Sequence, residues 1–202
     1  MWRRQNPSSD RLSGGSVQEE MTLVQATLAG DGRAFERLVD RHQQAAYGLA
    51  MRYLRDGGAA ESACVEAFEK AYRGLKGFDG RAGFGTWLTT IIVNTCKSKL
   101  RSIITDRQRL ISLDDSEDQV KPIENTPRSA VMDEEMKEQV NRAIESLPPK
   151  LRSAWILFAL EGLQVSQIAQ VEQCSVGAIK NRLFHARRQL QEKLEKYLKD
   201  EI

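Results

Sequence analysis

The sequence predicts an all-α fold, two small helical domains joined by a flexible linker. Three observations carry this. Apolar residues recur at three-to-four spacing over most of the 202 residues, which is the period of amphipathic helices. Aromatic residues make up only 6% of the chain and prolines number 5, against the aromatic, β-branched strands and frequent turns of a sandwich or barrel. Between about 106 and 132 the period is lost, and a structureless stretch of that length argues against one compact domain.

The elements follow in order. Residues 1–17 are polar, contain Gly14-Gly15 and read as a disordered tail. The first domain spans 18–105. Its clearest helix carries Ala34, Phe35, Leu38, Val39, Ala45, Ala46, Leu49, Ala50, Tyr53 and Leu54, with Asp31 as cap and Asp56-Gly57-Gly58 as end. A second helix sets Ala60, Ala63, Cys64, Ala67, Phe68, Ala71, Tyr72 and Leu75 on one side and stops at Gly74 and Gly77. After a glycine-studded loop from Phe78 to Gly85, Thr86-Trp87-Leu88 opens a third helix that runs to about Ile104. The linker, 106–132, holds Asp114, Asp115, Glu117, Asp118, Pro122 and Pro127 and is mildly acidic. The second domain, 133–202, starts at Asp133-Glu134-Glu135, acids that suit the positive end of a helix. Pro148-Pro149 breaks that helix, and an apolar run from Leu151 to Leu160 ends at Glu161-Gly162. A short helix Val165–Val171, a turn Glu172-Gln173-Cys174 and a last helix from Ser175 complete it.

Composition narrows the function. Hydrophobic residues at 41% and charged residues at 29% are ordinary for a soluble protein. No apolar run approaches the roughly 20 residues of a membrane span, and the N-terminal residues lack the apolar core of a secretion signal. Cys64, Cys96 and Cys174 are odd in number, far apart and free of CxxC spacing, so neither a disulfide framework nor a zinc site is expected. Small buried thiols in a reducing cytoplasm fit instead. The two histidines, His42 and His185, fall in different domains. With no metal cluster, no phosphate loop after a strand and no nucleophile–base pair, we expect no enzyme, no metal and no other cofactor.

Charge is informative by its placement. The net charge is only +2. Yet no acid occurs from Arg81 to Thr105, where Arg81, Lys97, Lys99 and Arg101 are basic, and none from Ser175 to Gln191, where Lys180, Arg182, Arg187 and Arg188 are basic. Two basic patches in a near-neutral chain suit phosphate-contacting surfaces, the alternative being two solvated helix faces. The second patch lies in helix-turn-helix spacing. Ile168 and Ala169 face inward, Cys174 and Val176 anchor the turn, and Ile179 and Leu183 fix the last helix. Ser175, Lys180, Asn181, Phe184, His185 and Arg188 are left outside, as a helix in a major groove requires. The first patch interleaves Phe84 and Trp87 with Thr90, Asn94, Lys97, Lys99 and Arg101, and aromatics among bases suit an unstacked single strand. Trp87 also reads well as core.

These blocks resemble a known family. Gly30-Asp31-Gly32-Arg33-Ala34-Phe35, Leu38-Val39-Asp40-Arg41-His42, Phe68-Glu69-Lys70-Ala71-Tyr72-Arg73, Thr86-Trp87-Leu88 and Val93-Asn94-Thr95 look like the promoter-opening module of extracytoplasmic-function sigma factors, members of the sigma-70 family. Leu147-Pro148-Pro149-Lys150-Leu151-Arg152 and Val176-Gly177-Ala178-Ile179-Lys180-Asn181-Arg182-Leu183 look like the upstream-element reader of the same proteins, in the same order. The resemblance implies a transcription initiation factor that binds core RNA polymerase and promoter DNA. The helix near 60–76, with Glu61, Ser62, Val65, Glu66 and Glu69, would dock on the clamp helices of the largest subunit, and the flap is a further expected contact on core polymerase. Phe84, Thr86, Trp87, Thr90 and Asn94 would capture the opened −10 strand, and Lys97, Lys99 and Arg101 would hold its backbone. Ser175, Lys180, Asn181, Arg182, Phe184, His185 and Arg188 would meet the −35 duplex. The linker would thread toward the active-site channel, and an anti-sigma factor is an expected partner.

Four positions depart from the family pattern; one is His185, which stands where arginine is common and so lacks a permanent charge. Ser62 stands where an acid is usual and Val65 where an amide is usual. Gln173 occupies a turn position that usually holds glycine, so it must accept a positive φ or the turn must differ, at a cost of roughly 1 kcal/mol. The other reading is a helix-turn-helix regulator that acts without core polymerase. That reading needs a ligand pocket or dimer interface within 18–105 and leaves the aromatic–basic block unexplained.

Overall fold

The computed structural model describes residues 17–111 and 131–200. Most of the tail expected over 1–17, and the middle of the linker with its acidic residues 114–118, lie outside the described residues. Every regular element described is helical, and the chain divides into two compact units.

The first unit contains α1 (Val17–Leu28), α2 (Gly32–Leu54), α3 (Gly57–Gly74) and α4 (Phe84–Ile111). Asp31 caps α2 as expected, its carboxylate accepting from the Arg33 amide at 3.0 Å. The end of α2 differs from expectation. Arg55, not a glycine, takes the left-handed C-cap conformation with φ 57°, and Asp56 serves the next helix by accepting from the Ala59 amide at 2.6 Å. The glycines Gly57 and Gly58 therefore open α3. A single 3-10 turn, Leu75–Gly77, follows α3. The packing seam is made of small residues: Ala46, Ala50, Ala60, Ala63, Ala67 and Ala71 are fully buried, which lets helices approach closely. Leu38, Leu49, Leu88 and Ile92 fill the space between them, each contributing about 1.5–3 kcal/mol by burial. Tyr72, expected on the buried side of α3, is instead 54% exposed. α4 starts two residues before Thr86 and continues to Ile111, past the boundary expected at 105.

The second unit contains α5 (Val131–Glu145), α6 (Pro149–Trp155), α7 (Val165–Val171) and α8 (Val176–Asp200). Pro149 occupies the first turn of α6, where its missing N–H costs nothing, so the proline pair starts a helix as well as ending one. α6 then widens into a π-helical turn, Ile156–Leu160, in which the Glu161 amide reaches back to the Ile156 carbonyl at 3.0 Å. Gly162, at φ 70°, ends it. Ala154, Ile156, Leu157, Ile168, Val171, Ile179 and Ala186 form the buried centre between α6, α7 and α8.

Candidate nucleic-acid interface

Helical periodicity sorts the residues of α4. Asn94 and Arg101 are exposed and Thr90 and Lys97 are partly exposed, at spacings that stack them in one row. Thr90 donates its hydroxyl to the Thr86 carbonyl at 3.2 Å, and Arg101 Nε donates to the Lys97 carbonyl at 3.3 Å. Phe84 is different. It is 1% exposed and packs among Phe78, Trp87 and His42 with ring centroids 5.3–6.0 Å apart. A base cannot stack on it without opening the core, so Phe84 leaves the set of strand-contacting residues. Trp87 is partly exposed and leans on Phe78 at 5.1 Å, so the aromatic cluster anchors the loop that precedes α4. Gly80, in that loop at φ 69°, sits so close to Met21 of α1 that a β-carbon would meet its methyl at 3.3 Å.

Lys99 lies on the other side of α4. Its ammonium is 3.0 Å from Glu66 and 3.1 Å from the Ser62 hydroxyl, both on α3. The candidate docking residues thus divide into two stripes. Glu61, Val65 and Glu69 line an open groove of about 1370 Å³ between α2 and α3, with Phe35, Val39, Tyr47, Phe68 and Tyr72. Val65 is 57% exposed there. Ser62 and Glu66 face α4 instead. Lys70 and Lys99 hold the Glu66 carboxyl below the ordinary carboxylate range by hydrogen bonding to its charged form. Beside this network, burial pushes the Cys96 thiol up to about 12 and raises Cys64 as well, so both are protonated thiols at neutral pH.

In the second unit α7, its turn and α8 form the expected helix-turn-helix. Ile168 and Ala169 are buried, Ile179 is fully buried, and Ser175 caps α8 by accepting from the Ala178 amide at 3.1 Å. Val176 does not anchor the turn. It is 42% exposed, and the turn is held by the Cys174 amide on the Ala169 carbonyl at 3.0 Å. Gln173 takes φ 51°, the strained alternative. Lys180, Asn181, Phe184, His185 and Arg188 are exposed along α8, with Phe184 at 63% and its ring edge-on to His185 at 5.4 Å. Arg188 pairs with Glu192 at 2.9 Å. Arg182 is turned inward. Its guanidinium meets the buried Glu172 at 3.3 Å, and Glu172 also accepts from Ser153 at 2.5 Å. Arg182 therefore ties α8 to the turn and to α6 and leaves the outer row.

Two features escaped the sequence. Glu20 on α1 and His42 on α2 form a buried pair at 3.0 Å, and His42 Nδ1 is buried without a partner among the described residues. No periodic signal separates such a pair from surface charge, because it depends on how α1 crosses α2. The Ser153–Glu172–Arg182 link is equally long-range.

The comparisons agree with this geometry. Residues 38–103 match the family described as Sigma-70 region 2, and residues 137–190 match Sigma-70, region 4. The chain is 36% identical to the RNA polymerase sigma-H factor of Pseudomonas aeruginosa, over 91% of this chain and 97% of that protein. It is 37% identical to the ECF RNA polymerase sigma-E factor of Escherichia coli K12, over 89% of this chain and 97% of that protein. In fold it is similar to CnrH, solved in complex with the cytosolic domain of CnrY, with a TM-score of 0.65 at 22% identity over 88% of this chain and 98% of that one. It is also similar to the sigma factor RpoE of Bartonella quintana, solved with the anti-sigma factor NepR, with a TM-score of 0.60 at 23% identity over 80% and 96%. Both sigma-70 regions occur here in order, on the two helical units described above, at more than a third identity across nearly the whole length of two curated sigma factors. The chain belongs to the ECF RNA polymerase sigma factors of the sigma-70 family, non-enzymatic factors that direct transcription initiation.

Proposed function

We propose that the two units divide promoter recognition between them. The observation that carries this is the presence of two exposed polar–basic rows on two separately packed helices: Asn94, Lys97 and Arg101 on α4, and Lys180, Asn181, His185 and Arg188 on α8. A row next to an aromatic-anchored loop suits a strand with splayed bases, with Asn94 reading a base edge and Lys97 and Arg101 holding phosphates. A row on the second helix of a helix-turn-helix suits −35 duplex in the major groove, where Phe184 offers apolar contact to a thymine methyl. Glu61, Val65 and Glu69 present an acidic-rimmed apolar groove to core polymerase. An anti-sigma partner is expected to cover these same faces, and action on polymerase implies a cytoplasmic location.

Run-off transcription tests the proposal. The chain added to core polymerase should start transcripts at a defined −35/−10 promoter. Asn94→Ala should spare duplex binding and impair opening, whereas Lys180→Ala should weaken −35 binding and reduce its salt slope by about one. Equal loss of both activities by Asn94→Ala would sink the division of labour. Dimeric duplex binding with no initiation would favour a conventional regulator.

A further inference from the structure

On the reading of α3 as the polymerase-docking helix, we infer that Lys99 is a positioning residue that locks α3 to the strand-reading helix α4, and is not a phosphate contact. Along an α-helix two residues are about 200° of rotation, so Lys99 points roughly opposite to both Lys97 and Arg101. The row that faces outward ends without it. Its ammonium is inserted between Glu66 Oε2 at 3.0 Å and Ser62 Oγ at 3.1 Å, and its side chain is 25% exposed. A second lysine completes the link from the other helix. Lys70 Nζ on α3 donates to Glu66 Oε1 at 2.7 Å and to Thr95 Oγ1 on α4 at 3.3 Å. One carboxylate thus gathers a lysine from each helix, and three contacts cross a single seam.

Isolated surface ion pairs contribute little to stability. A network that spans two helices through several side chains does something else: it sets their rotation about one another. That register matters here because α3 and α4 carry different halves of the job. Glu61, Val65 and Glu69 on α3 line the groove, and Asn94 on α4 is exposed in the row proposed above to meet the strand. A small rotation between them would misplace Asn94 on a docked polymerase without altering what Asn94 contacts. Ser62 suits the arrangement. As a neutral hydroxyl it accepts from Lys99 without competing with Glu66 for the charge, which gives the departure at this position a role.

The test uses holoenzyme reconstituted with the full chain and a premelted −10 promoter fork, with binding measured across a series of salt concentrations. Circular dichroism first establishes that each variant is folded at the assay temperature. Lys99→Gln should weaken fork binding about ten-fold at every salt concentration with an unchanged salt slope, and Glu66→Gln should do the same, with no further loss in the double variant. Lys99→Arg should restore binding. Lys97→Gln, the comparison, should lower the slope by about one. A lowered slope for Lys99→Gln would make it a phosphate contact and overturn the inference. So would a lower melting temperature with unaltered fork binding, which is the mark of a purely structural link. Core binding by the unaltered chain, measured separately, distinguishes the two levels: if that fails, the proposed function falls with it, and if it holds, only the role of Lys99 is at stake.

Discussion

Gln173 shows how one residue can carry strain for a whole motif. The helix-turn-helix needs the chain to reverse between α7 and α8, and the left-handed conformation at φ 51° does that. A side chain there costs about 1–2 kcal/mol, partly offset because glycine loses more freedom on folding. Gln173→Gly should therefore stabilise the second unit by up to roughly 1 kcal/mol and raise its melting temperature by about 4 °C in a thermal scan. An unchanged or lower transition would mean that the turn's hydrogen bonds, such as Cys174 to Ala169, already absorb the strain. Arg182 and Phe84 teach the same lesson from the other side. Both residue types suit nucleic acid, yet Arg182 is committed to Glu172 and Phe84 to the aromatic cluster. A residue type in a motif states a capability, and the partner it finds decides the use.

At the scale of an element, α3 depends on its first turn. Its opening residues Gly57-Gly58 are poor helix formers, so the start is supplied by the Asp56 carboxylate on the Ala59 amide. Asp56→Ala should cost the first unit about 1 kcal/mol, and Asp56→Asn, which keeps the acceptor, should cost less. Urea melts of both variants check this, and equal loss would show that the charge at the helix N-terminus, not the hydrogen bond, is what counts. α3 is also held along its length, because Lys70 and Lys99 keep Glu66 ionised. A depressed carboxylate contributes stability that is present above its unfolded value and lost as pH falls through the lower folded value. The Glu66 contribution to the α3–α4 link is thus present at neutral pH and is lost in acid, below the ordinary range for glutamate.

At the scale of the molecule, each unit has its own buried centre: the alanine seam with Leu38, Leu49, Leu88 and Ile92 in one, and Ile156, Leu157, Ile168 and Ile179 in the other. Separate cores predict separate unfolding. Calorimetry of the full chain should resolve two transitions. Asp56→Ala should lower one and leave the other in place, and Gln173→Gly should raise only the second. A single transition moved by both substitutions would mean that the units unfold as one. No helix among the described residues is long and apolar enough to cross a membrane.

The sequence by itself determined the helical class, the helix-turn-helix with α7 at Val165–Val171 and the cap at Asp31, and it narrowed Gln173 to a positive φ or a different turn, of which the structure takes the first. These are short-range properties: periodicity, capping and φ preference are set by neighbours a few residues apart. It also carried the family resemblance, because that lies in residue order. Tertiary structure alone decided which way the polar side chains turn. The buried Glu20–His42 pair and the assignment of Lys99 to α3 depend on where one helix crosses another. A stripe of lysines reads the same in sequence whether it faces solvent, phosphate or a carboxylate on a neighbouring helix. Only the crossing geometry of α3 and α4 separates Lys99 from Lys97 and Arg101.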